Sequence, residues 1–319
     1  MASGYDYEHF NVTFPAQYVA QVEINRPKKL NAFIEPMWVS IGRMFKRLAQ
    51  DPDVRVIILT AVGDRAFTAG LDVQAASEGG ILSQKGDADG ARKAVKIRRH
   101  ILEFQDDISA IEKCDKPVIA VLHGISYGIA LDITCCCDIR LCSKDTRFAV
   151  KEVDIGLAAD IGTLTRLPKA NVPMSFIKDV ALTARDFSAQ EALSVGLVSG
   201  VFDSKAAALE KAHEMGKLIA AKSPVAVQAT KEIINFSRDH SVADGNTHTY
   251  AHLLRQMLTV RYNRSQLCLD LQRSDGTDAR RQRCHDVRHT EAQADFFEAI
   301  ELYTINSHVV WLLIRFEKT

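Results

Sequence analysis

Apolar and polar positions divide the chain into three stretches. Up to about residue 200, short β-branched runs alternate with segments of helical period. Residues 18–24 (Tyr-Val-Ala-Gln-Val-Glu-Ile), 54–60 (Val-Arg-Val-Ile-Ile-Leu-Thr), 117–122 and 138–143 read as strands. Between them, residues 37–48 and 101–111 carry apolar side chains at helical spacing. Such alternation predicts an α/β architecture with covered sheets. Residues 205–236 then become strongly helical, with Ser223-Pro224 marking a break between two helices. A further helical stretch is expected from about residue 246.

Two segments depart from this pattern. Residues 77–90 are rich in glycine and small polar side chains and read as a mobile insertion. A lid over a substrate and a plain surface loop fit it equally; the basic residues 92–100 that follow read as a solvated helix face. Past residue 259 apolar periodicity lapses, and residues 280–289 are dominated by arginine and histidine. Residues 259–319 are therefore expected to form an atypical, poorly ordered tail, apart from an amphipathic piece near 292–302.

Composition narrows the function classes. The 319 residues are 47% hydrophobic and 25% charged, enough for a sizeable core. Lys and Arg number 40 against 40 Asp and Glu, so no whole-chain basic footprint for nucleic acid exists. No apolar run approaches bilayer-spanning length, and the termini carry no legible targeting address. The expectation is a protein with neither a nucleic-acid nor a membrane partner. Seven cysteines, three of them consecutive at 135–137, include no Cys-x-x-Cys pair. They read as buried apolar fillers, and no metal site is expected.

Three segments look purposeful. Arg65-Ala-Phe-Thr-Ala-Gly-Leu-Asp72 follows one strand and His123-Gly-Ile-Ser-Tyr-Gly-Ile-Ala-Leu-Asp132 follows another. Each runs through glycine and small residues towards a helix, where the first N–H groups lack intrahelical partners. Two such amides converging would stabilise a developing oxyanion, each contributing roughly 3–4 kcal/mol to lowering a barrier. Two ordinary strand-to-helix turns fit the same residues. Asp132 falls in a first helical turn, where an aspartate also serves the helix dipole. The third segment, Lys151-Glu-Val-Asp-Ile-Gly-Leu-Ala-Ala-Asp160, sets Glu152 and Asp160 around an apolar stretch. A partly buried carboxyl has the raised pKa that acid–base work near neutral pH requires. Eight residues of straight chain would separate the two by roughly 26 Å. They share a pocket only if the chain reverses at Gly156. Neither nucleophilic hydrolysis nor a nucleotide cofactor is expected.

These residues resemble the enoyl-CoA hydratase/isomerase (crotonase) superfamily. The likeness spans about residues 5–258 and rests on Ile24-Asn-Arg-Pro-Lys-Lys-Leu-Asn-Ala-Phe33, on Ala66-Phe-Thr-Ala-Gly-Leu-Asp72, and on the block from His123 to Pro168. Lys151-Glu-Val-Asp-Ile-Gly-Leu-Ala-Ala-Asp-Ile-Gly-Thr163 is similar to its dienoyl-CoA isomerase branch, and Ser237-Arg-Asp-His-Ser-Val242 adds to that likeness. The resemblance implies a spiral of ββα turns in residues 1–200 and a helical trimerisation region in 201–258, assembled as a homotrimer or homohexamer. It implies an acyl-CoA thioester substrate, no cofactor, and a setting in the mitochondrial matrix or the peroxisome. It assigns the oxyanion amides to Ala69 and Ile129 and substrate contacts to Ala66, Gly70, Leu71, Asp72 and Gly128. The hydratase glutamate pair corresponds to Asp132 and Glu152, and Asp160 stands where hydratases have glycine. One departure is Gly128-Ile-Ala130 in place of three glycines.

Moving a 3,5-diene to 2,4 takes a proton from C2 and returns one at C6. One carboxylate reaches both ends poorly, whereas two answer the geometry. The expected pair is Glu152 and Asp160, with Asp132 tuning or holding the site. A hydratase or Δ3-Δ2-enoyl isomerase is the first alternative. A non-catalytic acyl-CoA-binding or RNA-binding homologue is the second.

Overall fold

The computed structural model describes residues 4–79 and 89–251. The expected tail at 259–319 and most of the 77–90 insertion lie outside them.

The first hairpin pairs β1 (Phe10–Ala16) with β2 (Val19–Ile24), antiparallel, across a turn where Tyr18 takes a φ of 64°. Helix α1 (Glu35–Gln50) follows and buries Met37, Ile41, Met44, Phe45 and Leu48 at helical spacing. Then a strand–strand–helix unit recurs. It first runs β3 (Val56–Ala61), β4 (Ala66–Thr68), α2 (Val73–Gly79) and α3 (Gly90–Lys113). The second is β5 (Val118–Leu122), β6 (Ile125–Tyr127) and α4 (Ile129–Cys135). In the third, β7 (Ile139–Ser143) and β8 (Arg147–Ala149) lead to a 3-10 turn at Glu152–Ile155 and the short α5 (Thr163–Arg166). The chain continues through α6 (Met174–Thr183), β9 (Phe187–Ser188), α7 (Ala189–Ser194), β10 (Gly200–Phe202), α8 (Lys205–Ala220) and α9 (Pro224–Ser237).

The first strand of each unit enters one sheet and the second strand another. The large sheet has the order β1-β2-β3-β5-β7-β10 and is parallel from β2 onward; the small one is β4-β6-β8-β9. This is the spiral the resemblance implies. Parallel strands covered on both faces must be apolar on both faces, and β3 and β5 are buried at every position. Ile57 and Leu59 face the main core with α1, while Val56 and Ile58 face α8. Small residues on α8 (Ala208, Ala212, Gly216) let that helix lie close to the sheet.

The strands expected at 18–24, 54–60, 117–122 and 138–143 all form, with ends shifted by one or two residues. The helix break at Ser223-Pro224 is also as expected, with the Ser223 hydroxyl capping α9. Two expectations need correction. Ser77 belongs to α2 rather than to a loop, whereas residues 92–100 form the largely exposed start of α3 as the basic stretch predicts, with the Asp89 side chain capping the helix on the Arg92 amide. The last helical stretch begins at residue 242, not 246.

Candidate active site

The first of the two turns that open onto the site is held by the first motif of the sequence. Asn31 takes a left-handed backbone with φ 56°. Its side chain donates to the carbonyls of Val62 (3.0 Å) and Ala66 (2.9 Å) and accepts from the Arg26 amide (2.8 Å). Thr68 donates its hydroxyl to the Asn31 carbonyl at 2.8 Å, and Arg26 pairs with Asp72 at 2.8 Å. That hydrogen bond holds the Asp72 carboxyl below the usual aspartate range. These contacts fix the route of the chain from β4 through Gly70 to α2.

The amides of this turn are divided. Ala69 donates its N–H to the Leu30 carbonyl at 3.0 Å and has none left for a ligand. Leu71 pairs with Phe33 in a parallel bridge, but the bonds are made by its neighbours: Phe33 donates to the Gly70 carbonyl, and the Asp72 amide donates to Phe33, both at 2.9 Å. In that pattern the N–H of Leu71 points away from Phe33, and it donates to no described group. The amide expected to be open at Ala69 is therefore taken, and the open amide of this turn is that of Leu71. The signal in the sequence was weak, because a two-residue offset along one turn reverses which amides are taken.

Gly128, with φ 54° and ψ −114°, ends β6 and precedes the first residue of α4, Ile129. The Gly128 amide donates to Ala149 at 2.9 Å. The Ile129 amide, at the helix start, has no partner among the described residues. A methyl group on Gly128 would lie 3.2 Å from Glu152 Oε1 and 3.7 Å from the Gly70 Cα. Only glycine keeps the two turns and the carboxylate this close.

The chain does reverse at Gly156, whose φ is 77°, and Leu157 donates back to the Glu152 carbonyl at 3.0 Å. Glu152 and Asp160 thus line one cavity of about 120 Å³, together with Asp132, Leu71 and Ile129. Gly70 and Gly128 line it too, with Phe104 and Ile161 as apolar wall. Ala66 and Asp72 do not: Ala66 is buried in β4 and Asp72 is engaged with Arg26.

The three carboxylates differ. Glu152 is half-buried, and its Oε2 is enclosed with no hydrogen-bond partner. Burial, then the negative charges of Asp132 and Asp160, push its pKa up to about 7. Asp132 is 2% exposed; burial raises it to about 6 against the bonds it accepts from Thr163. Asp160 is exposed, and its backbone carbonyl accepts from Gln105 at 2.5 Å.

Gly124-Ile-Ser-Tyr-Gly128 has the spelling of a hydrolase nucleophile elbow. Ser126 lies inside β6, fully buried, rather than at a strand-to-helix corner. Cys135, Cys136 and Cys137 close α4, with the last two buried as fillers. Among the described residues no three His, Cys, Asp or Glu side chains gather as a metal site.

The enoyl-CoA hydratase/isomerase family model matches residues 15–259. The chain belongs to that family. Within it, this hydratase/isomerase homologue is 44% identical over 243 residues to the human mitochondrial Δ3,5-Δ2,4-dienoyl-CoA isomerase, covering 76% of this chain and 73% of that one. The peroxisomal enzyme of the same name from Arabidopsis thaliana is 42% identical over 222 residues, covering 70% and 79%. Among solved structures, a probable enoyl-CoA hydratase/isomerase from Mycobacterium abscessus superposes with a TM-score of 0.67 at 26% identity, over 79% of this chain and 91% of that one. The architecture is thus the crotonase fold.

Proposed function

We propose that this crotonase converts 3,5-dienoyl-CoA to 2,4-dienoyl-CoA in fatty-acid β-oxidation by moving a proton from C2 to C6. The observation that carries the reading is the shared cavity of Glu152, Asp160 and the unpartnered amides of Leu71 and Ile129. One carboxylate takes the C2 proton; the electron pair shifts towards the thioester carbonyl, and its oxygen gains charge. The Leu71 and Ile129 N–H groups stabilise that oxyanion. The dienolate then reforms the carbonyl as C6 accepts a proton from the second carboxyl. Atoms and charge balance without a cofactor. The names borne by relatives at 42–44% identity support the same reaction.

Asp160 favours this reading over a hydratase, since a second proton carrier has work only at the far end of a diene. Leu218, Val225 and Ile234 are exposed on α8 and α9, which supports a homotrimer or homohexamer burying them. Sedimentation velocity reads the assembly directly. For the reaction, 3,5-dienoyl-CoA is supplied and the conjugated product followed by its ultraviolet absorbance. Rapid hydration of a 2-enoyl-CoA with no diene isomerisation would replace the proposal with a hydratase.

A further inference from the structure

The next inference rests on the two-carboxylate reading above and concerns what sets the proton on Glu152. Asp132 Oδ1 accepts two hydrogen bonds from one residue, the amide and the hydroxyl of Thr163, each at 2.7 Å. Both residues are buried, at 2% and 1% exposure. Thr163 is the first residue of α5, so its N–H has no helical acceptor and is available to the carboxylate. Two donors on one oxygen favour the charged carboxyl.

The other groups facing this pair are few. Arg166, one turn on in α5, favours the Asp132 charge, while its Nε and Nη2 donate to Glu112 and Ser109. Asp160 opposes it from the preceding loop, and Cys135 lies near it on α4. Glu152 faces Asp132 and Asp160, and the backbone amides of Lys151 and Glu152 favour its charge. Two carboxyls so placed titrate as a pair, and the one whose charged form accepts more hydrogen bonds, Asp132, ionises first.

We propose that Thr163 is a positioning residue: by holding Asp132 ionised through both donors, it assigns the shared proton to Glu152. Glu152 thereby enters the cycle near its midpoint at neutral pH, able to give and take a proton. Without the hydroxyl, Asp132 keeps the proton and its charge no longer opposes that of Glu152.

The test compares kcat/KM for dienoyl isomerisation against pH in the wild type, Thr163→Val, Thr163→Ser and Glu152→Gln. In Thr163→Val the limb governed by Glu152 moves to lower pH by roughly 0.5–1 unit. The direction is the same whether Glu152 acts as base, on the acid limb, or as acid, on the alkaline limb. Thr163→Ser keeps the hydroxyl and returns the profile to that of the wild type. Thr163→Ala carries the same prediction as Val if the valine variant does not fold. A rate lowered equally at every pH, or a serine variant shifted as far as valine, overturns the inference and leaves Thr163 a helix cap. Near-native turnover by Glu152→Gln removes the two-carboxylate reading itself. An inactive Glu152→Gln beside an unmoved valine profile removes only the role of Thr163.

Discussion

The turn from β4 into α2 and the reversal at Gly156 face the same cavity but are built in opposite ways. In the first, nearly every polar group is spoken for: Asn31, Thr68, Arg26 and Asp72 satisfy one another and the backbone around Gly70. The Leu71 amide is left over, held in direction by bonds on either side of it. In the second, Val153, Ile155 and Leu157 are exposed, and Glu152 Oε2 has no partner. The scaffold of saturated hydrogen bonds presents backbone donors, which need fixed direction. In the proposed reaction, the reversal presents the carboxyls, which need a poised proton and freedom to deliver it. Rigidity and reactivity are divided between two pieces of chain.

Four experiments break that division, from the largest effect to the smallest. Asp160→Asn and Glu152→Gln remove one proton carrier each and should lower isomerisation by roughly 10²–10⁴-fold while acyl-CoA binding persists. The double variant should be little worse than either single one. In deuterated water, the variant lacking the C6 donor should still exchange the C2 hydrogen, and the variant lacking the C2 base should not. Native turnover by Asp160→Asn would leave a one-base enoyl isomerase as the better description.

An amide-to-ester replacement at Leu71 deletes one N–H and keeps the side chain. It should lower kcat by roughly 10²–10³-fold, whereas the same replacement at Ala69 should reduce stability and spare kcat. Equal kcat losses at both positions would refute the division of amides along this turn.

Asn31→Ala strips the three hydrogen bonds of a buried side chain from the saturated turn. Unfolding in urea should show a loss of about 2–4 kcal/mol. A stability unchanged within error would mean that the turn is held by packing alone.

The smallest effect is a pH dependence of stability. Glu152 has a folded pKa of about 7, raised by burial from the 4.5 of a free glutamate. The stability its protonated form contributes is fully present below about pH 4.5 and is lost as pH rises through about 7. Relative to wild type, Glu152→Gln should therefore gain stability across that window, by about 1–3 kcal/mol. A flat difference between pH 5 and 8, measured by urea denaturation, would show that Glu152 is solvated in the folded protein.

Strand and helix positions were legible because burial repeats with the period of each element: Ile57 and Leu59 against Val56 and Ile58 is a pattern of two, and Met37, Ile41, Met44 and Leu48 one of 3.6. The reversal at Gly156 was legible as a requirement, since Glu152 and Asp160 meet only if glycine takes a positive φ there. Ala69 was chosen wrongly because hydrogen-bond direction depends on the strand alongside, and Phe33 lies far away in sequence. The bonds of Thr163 to Asp132 were invisible for the same reason. The helical start at residue 242 was missed because an exposed helix end carries little periodicity.

By itself, then, the sequence determined the alternation of strands and helices, the carboxyls Asp132, Glu152 and Asp160 as candidates, and the glycines that let turns close, while the spiral of ββα turns was implied by the family resemblance. These follow from local periodicity and backbone freedom, which a chain carries in its residue order. Tertiary structure alone decided which amide is free, which carboxylate oxygen is unpartnered, and which acid is buried and which exposed. Each of those depends on groups brought together from distant parts of the chain, and hydrogen bonding and desolvation act through space rather than along sequence.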